Sequence, residues 1–187
     1  MTENNPLEER KRILRSRAER LASVTELLPI TEKPGETFPG RLEIVEFLLS
    51  DERYGIEIAF VQEVIPLKEF TDLPCTPSYI LGIANVRGQM VSIVNIKKFF
   101  ELSEKGLTNL NRLIVLEEGL MRFGILADRV LGVRSVPISE IQPTVPTLTG
   151  VREAYLKGIV PKDWVAILDG KKLLGDKKII VREEVKT

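Results

Sequence analysis

The chain repeats itself, and the repeat limits the fold more tightly than any single motif. Arg53-Tyr54-Gly55-Ile56 is followed by Val61 and Val64, and Arg122-Phe123-Gly124-Ile125 is followed at the same offsets by Val130 and Val133. A proline comes soon after each run, Pro66 and Pro137. VSIVNIKKFF (91–100) matches VAILDGKKLL (165–174), with Asn95 opposite Asp169 and Lys97-Lys98 opposite Lys171-Lys172. Gly82-Ile83 matches Gly158-Ile159. The offsets are 69, 74 and 76 residues, so loop lengths differ while order is kept. Three matches in one order predict two copies of a unit of about 70 residues.

The unit reads as β structure. Runs such as RLEIVEFLLS, RYGIEIAFV, QMVSIVNI, NRLIVLEE, MRFGILAD, RVLGVRSV, YLKGIV, DWVAILD and KKIIVRE are strand-like and short. Turns are signalled at Asp51-Glu52, Glu118-Gly119 and Pro161-Lys162-Asp163. Five short strands closing into a small barrel suit such a unit, because closure removes exposed sheet edges. The predicted fold is therefore all-β, with two five-stranded barrels side by side and a groove between them. Short helical turns are expected at 97–101 and 170–174. Ahead of the barrels, Leu14, Ala18, Leu21 and Leu28 share one face of a helix over 7–28. Pro34-Gly35 and Pro39-Gly40 then break it. This divides the chain into an arm and linker (1–40) and a body (41–187). The first barrel covers about 41–105 and the second about 106–187, with exchange of strands between them left open.

Composition removes several functions. The 187 residues hold 27 basic and 27 acidic side chains. A neutral chain with few stacking aromatics is a poor nucleic-acid-binding barrel, the remote alternative from another class. There is no histidine and one cysteine, so zinc sites and histidine-based triads have no ligands or base. No metal and no cofactor is expected. Cys75 reads as a small buried or loop residue. The start, MTENNPLEERKR, lacks the apolar core of a secretory signal. No apolar run approaches the roughly 20 residues that span a bilayer. These features predict a cytoplasmic protein without direct membrane insertion.

The repeat also sorts individual residues. Gly55 and Gly124 interrupt strand patterns, as glycines do at bulges or sharp bends. The two lysine pairs read as solvated faces ending a strand. Asp128 and Asp169 form a conceivable carboxylate pair, but turn and capping roles account for both. The segment from Asn85 to Gln89 has no echo in the second copy. Its Arg87-Gly88 either holds a guanidinium ready for a partner's carboxylate or braces its own turn with an internal ion pair.

These residues resemble the CheW family of chemotaxis adaptors. The resemblance lies in SDERYGIEIAFVQEV (50–64), the Pro74/Pro77 segment before GIANVRGQMVSIVN, GILADRVLGV (124–133) and VAILDGKKLL. It covers about 41–183. It implies two SH3-like barrels, no catalysis, and a scaffold joining the histidine kinase CheA, through its regulatory domain, to the cytoplasmic tips of chemoreceptors in arrays at the inner membrane. The receptor tip would lie in the groove between barrels. The resemblance assigns Val61, Glu63, Val64, Leu113, Val130 and Val133 to the receptor groove. For Val61 and Val130 a core role competes, since the repeat echoes both. It assigns Gly82, Arg87 and Gly88 to kinase coupling. Asn95 stands where the family usually has aspartate, and Ser92 where it usually has proline. The same scaffold also serves chemosensory-like pathways for surface motility or development.

Overall fold

A computed structural model describes residues 40–103, 106–108, 110–143, 151–176 and 178–179. The arm through residue 39, with its predicted helix at 7–28, lies outside them, as does most of KKIIVRE (177–183). Of that run, Lys178 and Ile179 form a turn rather than a strand, the Ile179 amide donating to the Asp176 carbonyl at 3.2 Å.

Among the described residues, ten strands and two short α-helices follow in order: β1 (Arg41–Leu49), β2 (Glu52–Glu57), β3 (Val61–Pro66), β4 (Ile80–Val86), β5 (Gln89–Val94), α1 (Ile96–Phe99), β6 (Arg112–Glu118), β7 (Met121–Ala127), β8 (Arg129–Pro137), β9 (Leu156–Val160), β10 (Val165–Leu168) and α2 (Gly170–Gly175). The run RYGIEIAFV is not one strand, because a 3-10 turn at Ile58–Phe60 separates β2 from β3. GIANV, ahead of the Arg87 turn, belongs to β4. Both helices begin at the repeat's paired polar residues. Asn95 accepts from the Lys98 amide at 3.4 Å and Asp169 from the Lys172 amide at 3.1 Å, so each acts as an N-cap.

The strands form two five-stranded sheets, ordered β8-β1-β2-β10-β9 (sheet A) and β3-β6-β7-β5-β4 (sheet B). Replacing each strand by its repeat counterpart turns one order into the other. The repeat is real, but each sheet is assembled across it. The β1–β2 hairpin joins β8, β9 and β10, and the β6–β7 hairpin joins β3, β4 and β5. The division near 105 is thus a division of the repeat that the sheets do not follow.

Three apolar cores result. Ala84, Val86, Val91, Ile93, Leu113, Val115 and Leu126 fill the interior of sheet B. Ile44, Val136, Val160, Val165 and Ile167 fill that of sheet A. The largest cluster joins the sheets, with Phe47, Tyr54 and Ile56 from A meeting Ile114, Phe123 and Ile125 from B. Alternation explains the split. Leu113 and Val115 point into the barrel while Ile114 and Leu116 point to the shared core. The central strands are buried on both faces, so they read as continuous apolar runs.

The glycines serve close approach. A side chain at Gly55 would meet Ile44 Cδ1 at 2.6 Å, and one at Gly124 would meet Leu113 Cδ1 at 2.5 Å. Ile44 and Leu113 are themselves repeat counterparts. Gly82 and Gly158 form a second pair, lying against the carbonyl oxygens of Thr71 and Gln142. There Thr71 bridges Ile83 and Gln142 bridges Ile159, adding a segment beside β4 and β9.

Candidate functional site

Strand parity divides the residues assigned to a receptor groove. Val61 pairs with Leu116 and Val64 with Ile114, while Val130 pairs with Phe47 and Val133 with Val45. All four partners belong to the shared core. Directly paired side chains share a face, so the four valines lie on the shared-core side of β3 and β8, the outermost strands of their sheets. Val61 is buried in that core, Val64 and Val130 pack against it half-buried, and Val133 is 48% exposed. On each of these two edge strands the valines border the shared core.

Glu63 and Leu113 are on the opposite face. Glu63 pairs with Val115, which points into sheet B's interior. Leu113 is fully buried beneath Gly124 and offers no surface to a partner. Glu63 is also buried, and its carboxylate is engaged. Arg87 Nε donates to Glu63 Oε2 at 2.8 Å, and Arg122 Nη2 lies 3.6 Å from Oε1. The structure therefore brings together two residues that the sequence reading assigned to separate partners.

Arg87 and Gly88 form the tight β4–β5 turn, with φ of +52° and +84°. Positive φ at both central residues is the requirement of a two-residue hairpin that follows strand twist. The Asn85 side chain accepts from the Gly88 amide at 2.8 Å and holds the turn. The bracing ion pair is present, yet the Arg87 side chain stays 61% exposed, so the pair fixes the guanidinium without removing it from solvent. An ion pair exposed on one side contributes at most about 1 kcal/mol.

Sheet A repeats this arrangement with charges reversed. Asp163, in the β9–β10 turn, accepts from Arg134 on β8, the counterpart of β3. Arg134 also lies 3.7 Å from the buried Glu46, which takes Arg53 at 3.2 Å. The Arg134 hydrogen bond, helped by the charges of Arg134, Lys162 and Arg53, holds Asp163 below the usual carboxylate range. Each hairpin is thus pinned to the outer strand of its own sheet, but with opposite polarity. Sequence reading missed Glu46, Arg134 and Asp163, since cross-strand pairs require the register.

The paired lysines correct another expectation. Lys98, Lys171 and Lys172 are exposed as predicted, but Lys97 is 2% exposed. Its ammonium donates to Asp128 Oδ1 at 2.6 Å. Asp128 also accepts from the Ser50 amide at 2.6 Å and from Asn111 Nδ2 at 3.2 Å. Asp128 sits in the single-residue link between β7 and β8. Asp169 caps α2, so the two aspartates have separate structural duties. Cys75 is exposed in a loop. Among the described residues, no helix is long and apolar enough to cross a membrane.

The model of the CheW-like domain family matches residues 43–178. Chemotaxis protein CheW of Treponema pallidum is 30% identical over 145 residues, which cover 74% of this chain and 85% of that protein. Protein FrzA of Myxococcus xanthus is 33% identical over 133 residues, covering 68% and 82%. The crystal structure of the scaffolding protein TtCheW from Thermoanaerobacter tengcongensis superposes with a TM-score of 0.64 at 29% identity, over 73% of this chain and 90% of that one. A match across both sheets, in sequence and in fold, makes this chain a member of the CheW-like family.

Proposed function

We propose that the chain is a non-enzymatic scaffold that couples the cytoplasmic tips of chemoreceptors to the regulatory domain of the histidine kinase CheA. The observation that carries this reading is the family match over 43–178, which takes in β2 through β10 and nearly all of β1. A relative bearing the name chemotaxis protein and another described as a scaffolding protein support it. In this reading the protein works in the cytoplasm at receptor arrays.

The valine border on β3 and β8 is the surface for a receptor helix, with Val133 its most exposed member. An apolar strip suits the apolar face of a helix. Arg87-Gly88 presents the kinase-coupling group. Glu63 acts through Arg87 as a positioning residue, Leu113 supports the strand beneath, and Gly82 keeps β4 against the Thr71 segment. The likeness to FrzA favours a second reading within the same role, an adaptor in a chemosensory-like pathway for surface motility or development.

Co-sedimentation with receptor-containing membranes and purified kinase tests the role. Wild-type protein should be retained with both. Val133→Lys, which places a charge on the apolar border without cutting into the core, should lose about tenfold in receptor retention while keeping the kinase. Failure of the wild type to retain either partner sinks the scaffold reading. Undiminished receptor retention by Val133→Lys removes the border from the receptor site. Loss of swimming chemotaxis, as against surface spreading, in a deletion strain separates the two pathways.

A further inference from the structure

We propose that two copies of this chain exchange halves as concentration rises, forming a dimer in which β1–β5 of one copy complete both sheets with β6–β10 of the other. Neither half holds a whole sheet. Sheet A takes β1 and β2 from the first half, and sheet B takes β6 and β7 from the second. The covalent tie between the halves is one link, residues 101–110, running from α1 toward β6. Among its described residues, Glu101, Ser103, Gly106, Leu107, Thr108 and Leu110 are exposed. Extended, its ten residues reach about 33 Å, far enough to carry one half onto a second copy.

The hinge is the turn that ends α1. The Leu102 amide donates to the Lys97 carbonyl at 2.8 Å, and the Glu101 amide to the Lys98 carbonyl at 3.2 Å. Such a turn needs a left-handed residue at 101, a place that glycine fills most easily. Here it is glutamate, at φ +56°. Strain at a hinge favours exchange, because extended backbone at Glu101 removes the strain and sends the link away from its own body. The link also carries Leu107 and Leu110, each 54% exposed. In the dimer the two links pass near one two-fold axis, where these leucines cover one another. Contacts between the halves are otherwise kept, since the second copy's half offers identical atoms, and that identity selects the partner. Lys97 meets Asp128, and Glu63 meets Arg122, whether one chain supplies both residues or two do. The links and the concentration therefore set the balance. Val61 pairs with Leu116 and Glu63 with Arg122 across the halves, so both candidate surfaces in the dimer are built from two chains. Under the scaffold reading the dimer is a bivalent adaptor, while the exchange itself does not depend on that reading.

The test refolds the full chain from urea over a concentration series and separates it by size with light scattering. The dimer-to-monomer ratio should rise about tenfold for each tenfold in protein concentration. Connectivity is read with Glu43→Cys and Ser135→Cys in a Cys75→Ser background. These positions are Cα partners on β1 and β8, one in each half, and lie close enough for a disulfide. After oxidation of the separated peaks, the dimer should run as two linked chains on a non-reducing denaturing gel and the monomer as one. A dimer peak whose disulfides lie within single chains is side-by-side association and overturns the exchange. Monomer alone across the series also overturns it. Glu101→Gly, which suits the closed turn, should lower the ratio about tenfold. An unchanged ratio overturns the proposal, since the link would then not govern the exchange. Receptor and kinase retention is scored separately: retention by a chain that never dimerises leaves the scaffold reading standing and removes this one, and an exchanged dimer that retains neither partner does the opposite.

Discussion

At the scale of single residues, the repeat misleads where one copy has acquired a partner that the other lacks. Lys97 and Lys171 are sequence counterparts, yet one is buried and the other exposed. The reason lies in a third position. Asp128 corresponds by the 69-residue offset to Ala59, so only Lys97 has a carboxylate to meet. Nothing local to either lysine announces this. Removing Asp128 strands a buried charge and leaves the Ser50 amide and the Asn111 side chain short of an acceptor. Asp128→Ala should therefore cost about 3–5 kcal/mol. Lys97→Met fills similar volume without a charge and leaves Asp128, 20% exposed, with two donors and access to water. It should cost no more than about 1.5 kcal/mol. Urea unfolding midpoints compare the two, and equal losses would show that the aspartate's other bonds carry no weight.

At the scale of elements, short apolar runs bounded by turn signals made most strands legible. Less legible was which face each residue meets, since here both faces are apolar. Val64 and Leu113 look alike in sequence, yet one borders the shared core and the other lies inside a barrel. Gly82 shows the same ambiguity in another form. The resemblance assigns it to kinase coupling, while its counterpart Gly158 shares its packing, which is the mark of a scaffold duty. At Gly82, φ is +150° and an added Cβ would stand 2.2 Å from the Thr71 carbonyl oxygen. That oxygen accepts from the Ile83 amide at 2.8 Å and the Thr71 amide donates back at the same distance, so backbone has to move. At Gly55 the obstacle is Ile44 Cδ1, the mobile end of a side chain. Gly82→Ala should cost about 2–3 kcal/mol and Gly55→Ala about 1 kcal/mol. Thermal unfolding ranks them. A Gly82→Ala protein as stable as wild type, but defective in kinase control, would return the residue to signalling.

At the scale of the whole molecule, the strand exchange follows from connection length. In sheet A, β1 is antiparallel to both β8 and β2, so β8 and β2 run parallel with β1 between them. If β3 took the place of its counterpart β8 within its own half, the chain would have to pass from β2 to a parallel strand two positions away. Such a crossover takes about a dozen residues or more. Only residues 58–60 separate β2 from β3, and Asp128 alone separates β7 from β8. The chain has no slack to return, so each half sends β1–β2 or its counterpart into the other sheet. The repeat and its short links are both visible in the sequence, but the links acquire meaning only once strand ends are known. Fragments 1–105 and 106–187 should therefore each fail to fold alone and should assemble when mixed, recovering near-UV circular dichroism and the elution volume of the intact chain. Inserting about 15 Gly/Ser residues between Ile58 and Phe60 should let fragment 1–105 close on itself. A cooperative unfolding transition in the unmodified fragment 1–105 as a monomer would show that the short link does not enforce the exchange.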